Sequence, residues 1–66
     1  MKRIGTVIRE LRDEQELTQD SLAYYLHVSS QAVSKWERLE GDPEINKLPA
    51  IAKFFNVSID YLFDYK

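Results

Sequence analysis

At 66 residues, with 44% hydrophobic and 30% charged side chains, the chain has the composition of one small globular domain and leaves no room for a second core. It has no cysteine, so neither disulfides nor a thiolate metal centre can support the fold, a usage that fits a reducing cytoplasm. Nine basic against eleven acidic residues give a net charge of −2; no apolar run approaches the roughly 18 residues of a membrane span, and Met1-Lys2-Arg3 is not followed by the apolar core of a signal peptide.

Ile4, Val7, Ile8 and Leu11 repeat at i, i+3, i+4 and i+7, which predicts an amphipathic first helix from about Lys2 or Arg3 to Glu14. Thr18 then stands before a second apolar-periodic segment (Leu22, Ala23, Tyr25, Leu26), as a hydroxyl cap for a helix from Gln19 to Leu26. Asp20 suits the positive end of that helix. Ser29 caps a third helix, carrying Ala32, Val33 and Trp36 inward and ending near Leu39 or Glu40. His27-Val28 leaves space only for a tight bend between the two. Gly41-Asp42-Pro43 breaks the chain into a loop.

Pro49 fits the opening turn of a fourth helix, where its missing amide is not needed, and that helix runs from about Leu48 to Phe55. Ser58 caps a fifth, with Ile59, Leu62 and Phe63 on one side. No segment alternates as a strand does. The expected fold is all-α: five short helices in a single domain over residues 1–66, with a helix-turn-helix at 18–39.

The outer face of the third helix presents Ser30, Gln31, Ser34, Lys35 and Arg38. Small hydroxyls, an amide and cations are the side chains that read base edges and phosphates in a DNA groove. Gln31 can offer a bidentate amide to adenine, Lys35 can donate to guanine, and Ser30 and Ser34 are short enough to let the helix sit deep. Ser29, Arg38 and Arg9 are the candidates for phosphate contacts. The charge balance is unusual for such a partner. The acids, however, crowd into Asp13-Glu14-Glu16, Glu40-Asp42-Glu44 and Asp60-Asp64, while Lys2, Arg3, Arg9 and Arg12 lie on or near the first helix and Lys35 and Arg38 on the third.

Spread over Ile4…Ile8-Arg9-Glu10-Leu11-Arg12, Leu17-Thr18-Gln19…Leu22-Ala23…Leu26…Val28-Ser29…Val33-Ser34-Lys35-Trp36-Glu37-Arg38, Pro43 and Leu48…Ile51-Ala52…Phe55-Asn56-Val57-Ser58-Ile59-Asp60…Leu62, the chain resembles the Cro/repressor-type (xenobiotic-response-element) helix-turn-helix family. The resemblance implies a compact repressor-like domain that binds double-stranded DNA as a two-fold dimer on a palindromic operator. It implies base contacts from Ser30, Gln31, Ser34 and Lys35, a phosphate contact from Gln19, and a buried ion pair between Arg12 and Glu37. Three positions where the family often has glycine hold His27, Leu39 and Asn56 here. A leucine in the left-handed region costs about 1 kcal/mol, so the expectation is that the third helix continues to Glu40 and that Gly41 supplies the left-handed stop.

Aromatic residues exceed what five short helices bury, and Phe54, Tyr61 and Tyr65 are candidate dimer contacts; Tyr24 also falls at a position that is usually polar. The single histidine, His27, has no partners for a metal site, and no cofactor or small-molecule ligand is implied. Without a nucleophile constellation or a phosphate loop, an enzyme is not expected. The leading expectation is a sequence-specific transcription regulator of repressor type, acting on the nucleoid. The competing one is a protein-interaction module, or an antitoxin-like partner binder, that keeps the fold with weak or no DNA binding.

Overall fold

The computed structural model describes residues 2–63. Five α-helices follow in order: α1 (Ile4–Glu14), α2 (Gln19–Leu26), α3 (Ser30–Glu37), α4 (Leu48–Phe55) and α5 (Ile59–Leu62), with a 3₁₀ turn at Ile45–Lys47 leading into α4. Among the described residues there is no strand. Each helix sends at least one fully buried side chain to the centre: Ile8, Leu22, Val33, Ile51 with Phe55, and Leu62. Burial of such a side chain is worth about 1.5–3 kcal/mol. This shared apolar centre is the main force holding short helices that would be marginal alone.

The three hydroxyl caps form. Thr18 Oγ1 accepts from the Ser21 amide at 3.0 Å, Ser29 Oγ from Ala32 at 3.1 Å, and Ser58 Oγ from Tyr61 at 3.1 Å. Pro49 sits in the first turn of α4, as its fixed φ allows. α1 starts at Ile4, with Arg3 as an extended N-cap that offers no side-chain bond.

Four helices stop in the same way. A residue in the left-handed region follows the last turn: Glu16 (φ 57°), His27 (φ 60°), Leu39 (φ 63°) and Asn56 (φ 59°). In each, the next amide reaches back to a carbonyl of the preceding turn: Leu17 to Arg12, Val28 to Ala23, Glu40 to Lys35 and Val57 to Ala52, at 2.8–3.0 Å. This is the Schellman geometry, and its usual apolar contact is supplied by Leu17, Val28 and Val57, which pack against the core.

The third of these stops corrects the expectation for α3. The helix ends at Glu37 rather than near Glu40, Leu39 takes the left-handed turn, and no glycine among the described residues has a positive φ. The physical reason lies in α1. Gly5 lies so close to the α3 backbone that a methyl group there would overlap the Trp36 carbonyl oxygen, and Leu39 Cδ2 would lie 3.2 Å from it. The turn thus lays the leucine side chain over Gly5, and Arg3 Nη1 donates to the Leu39 carbonyl at 3.3 Å. Both contacts offset the backbone cost.

Gly5→Ala should force α1 and α3 apart and destabilise the fold by about 3 kcal/mol, the upper end of overpacking effects, as measured by urea unfolding. Glu16 occupies its left-handed position while exposed to solvent. Glu16→Gly should therefore stabilise by about 0.5–1 kcal/mol, and Leu39→Gly by less, because it also removes packing.

Candidate nucleic-acid interface

The inward face of α3 is set by Val33, Trp36 and Glu37, all buried. That choice turns Gln31, Lys35 and Arg38, at i, i+4 and i+7, into one exposed line. Ser30 and Ser34 flank it, half-buried. No large apolar side chain of α3 stands on this face, so the amide and the ammonium project from a polar surface.

Glu37 is the one buried charged residue among those described. Its carboxylate receives the Arg12 guanidinium as a fork, Nε to Oε2 at 2.8 Å and Nη2 to Oε1 at 3.0 Å. Side-chain exposure is 17% for Arg12 and 4% for Glu37. The remaining donors are also used: Arg12 Nη1 donates to the Leu17 carbonyl at 2.9 Å, and Gln19 Nε2 donates to Glu37 Oε1 at 3.0 Å. One carboxylate therefore joins α1, the start of α2 and α3. Among the described residues no buried side-chain polar atom is left without a partner.

Burial acts most strongly on Glu37 and pushes its carboxyl pKa up. Hydrogen bonds from Arg12 and Gln19 and the charges of Arg12 and Arg9 outweigh it, so the group stays below the ordinary glutamate value.

The sequence-predicted phosphate candidates divide into different environments. Gln19 is half-buried, with one amide proton on Glu37 and a second left to donate outward. Ser29 uses its oxygen as the α3 cap and keeps its hydroxyl proton. Arg38 is exposed but pairs with Glu40 at 3.3 Å. Arg9 is exposed and makes no ion pair among the described residues. Lys2 and Arg3 pair with Glu10 and Asp42, so much of the basic charge near the amino terminus is held by acids of the same chain.

Two polar contacts escaped the sequence reading. Lys47 Nζ donates to the Leu26 carbonyl at 3.2 Å, and Gln15 Nε2 to the Phe55 carbonyl at 3.1 Å. Both serve carbonyls at helix ends, where side-chain donors are favourable. Their partners lie 21 and 40 residues away, beyond any local pattern.

Of the dimer candidates, Tyr61 is 50% exposed and Phe54 is half-buried, its ring 5.1 Å from both Tyr25 and Phe55. Tyr65 lies outside the described residues. Tyr24 is 86% exposed and Ile45, not singled out from the sequence, 81%.

The profile of the helix-turn-helix family matches residues 8–62. The chain belongs to that family. Its Cro/repressor-type character is carried by its relatives. It is 47% identical over 55 residues to the helix-turn-helix transcriptional activator BcrR of Enterococcus faecalis, covering 83% of this chain and 27% of that protein. It is 37% identical over 59 residues to repressor protein C2 of Salmonella phage P22, covering 89% and 27%. The chain thus spans about a quarter of the length of these two relatives. The crystal structure of the P22 c2 repressor in complex with a synthetic operator superposes with a TM-score of 0.84 at 35% identity, over 94% of each chain.

Glu37→Ala should destabilise this helix-turn-helix domain by about 3 kcal/mol, because it strands the Arg12 charge in a largely buried site. Since the folded-state pKa of Glu37 lies below the unfolded value, its stabilisation is complete above about pH 4.3 and fades as pH falls through the folded pKa. Urea midpoints measured down the acid range should show that decline, and Glu37→Gln should lack this part of it.

Proposed function

We propose that the chain is a sequence-specific DNA-binding transcription regulator, acting as a repressor, that sets α3 in the major groove of a palindromic operator as a homodimer. The observation that carries this reading is the composition of the exposed face of α3. Gln31 and Lys35 project from it beside two half-buried serines, on a helix whose rotation about its axis is set by the buried Glu37. Ser30, Gln31, Ser34 and Lys35 are the base-reading set; Gln19, Ser29, Arg9 and Arg38 hold phosphates and set the register. Arg38 exchanges Glu40 for a phosphate on binding. The likeness to an operator-bound repressor over 94% of the chain supports the same mode of docking.

Dimensions support two copies side by side. The longest extent of the fold is 30 Å, close to the roughly 34 Å between half-sites one helical turn apart. With the long axis along the duplex, copies at that spacing meet edge to edge. The exposed Tyr61, together with Phe54 and Tyr65, is the proposed contact.

A second reading, a protein-interaction module, draws on Tyr24 and Ile45, whose exposure at 86% and 81% is unusual for large apolar side chains. The two separate by mutation. Gln31→Ala and Lys35→Ala should each leave folding intact, weaken specific duplex binding by about 1–3 kcal/mol and relax preference at one base pair, as read by competition among duplexes differing at that pair. Equal losses on every duplex would make these residues phosphate contacts, and unchanged binding would remove α3 from the interface.

A further inference from the structure

Arg3 lies before α1, distant in sequence from α3, and a basic residue there reads as one more DNA contact. Its geometry is different. Nη1 donates to the Leu39 carbonyl at 3.3 Å and Nη2 to Asp42 Oδ1 at 3.1 Å, so one guanidinium bridges the left-handed turn that ends α3 and the loop that follows. Two residues on, Gly5 lies against the Trp36 carbonyl and beneath the Leu39 side chain. The start of α1 thus grips the end of α3 and the segment after it at three points: Trp36 in the helix, Leu39 in the left-handed turn and Asp42 in the loop. Lys35, whose carbonyl accepts the Glu40 amide at 2.9 Å, and Arg38 belong to that end of the helix.

We infer that Arg3 is a positioning residue for the DNA-reading helix: by holding Leu39 and Asp42 together it fixes the left-handed turn that closes α3, and with it the approach of Lys35 and Arg38, and it does not itself touch DNA. The inference rests on the reading of α3 as the DNA-contacting helix. It explains why an acid is kept beside that helix. Asp42 alone would repel phosphate, whereas bound to Arg3 it forms a neutral clasp. The pair is half-exposed, so its effect on global stability is small; its effect falls on local geometry.

The experiment compares Arg3→Gln, Asp42→Ala and the double variant in two measurements: binding to a duplex enriched by in-vitro selection, over a salt series, and amide hydrogen exchange in the free protein. Each single variant should weaken binding about two- to fivefold, the range of an exposed ion pair. The double variant should be no worse than either, and the salt slope should not change. The Leu39 and Glu40 amides should exchange faster in both, while Ile8 and Ile51 stay as in the parent. Weaker binding from Asp42→Ala is the sharpest sign, since losing an acid would otherwise favour DNA. The inference is overturned if Arg3→Gln lowers the salt slope by about one while Asp42→Ala binds as well or better, which makes Arg3 a phosphate contact. It is equally overturned if neither variant alters binding or exchange. Should the parent bind no duplex, the DNA reading fails, and the Leu39 and Glu40 exchange rates alone decide whether the clasp holds the turn.

Discussion

The Glu37 carboxylate is the constraint on which the rest of this small domain depends. It is buried, and it is satisfied only when Arg12 of α1 and Gln19 of α2 both reach it. An apolar group in its place could contribute as much free energy, since burying two charges costs much of what their attraction returns. An apolar group would not specify one rotation of α3 about its axis. The fork from Arg12 does, because two parallel bonds fix angle as well as distance. With Glu37 turned inward, Gln31, Lys35 and Arg38 must face out. The contact of Gly5 with the Trp36 carbonyl completes the constraint by fixing how deeply α1 and α3 nest.

A net charge of −2 sits uneasily with a polyanionic partner, and the ion pairs show how the two coexist. Lys2, Arg3, Arg12 and Arg38 are each matched to an acid of the same chain, whereas Arg9, Lys35, Lys47 and Lys53 are in no ion pair among the described residues. Lys47 is already engaged with the Leu26 carbonyl, so the cations left to such a surface stand at a few positions, Lys35 at the centre of the α3 face. On the proposed function, recognition would lean on hydrogen bonds to bases more than on counterion release.

Much of this was legible in the chain, for reasons that are local. Thr18, Ser29 and Ser58 announce helices because a capping hydroxyl acts within three residues, and the outer face of α3 follows from the 3.6-residue period once Val33 and Trp36 are inside. Asn56 and His27 take left-handed turns that their side chains tolerate. Leu39 was misread because its turn is stabilised through space, by Gly5 and Arg3, against its own backbone preference. Glu16 had no signal either, since an exposed left-handed glutamate carries only a strain that the Schellman bonds of α1 outweigh. Arg3 illustrates the same limit for the site: the same basic residue reads as a phosphate ligand or a clasp, and only the position of Asp42 separates them.

The proposal that α3 reads sequence in duplex DNA is open to one experiment. The direct test is in-vitro selection from randomised duplexes on the purified 66-residue chain, at low and then near-physiological salt. A dimeric reader of sequence should enrich a palindrome whose half-sites lie about one helical turn apart. Enrichment of nothing by a folded chain would contradict it, and would give the exposed Tyr24 and Ile45 the leading role as a protein-binding surface.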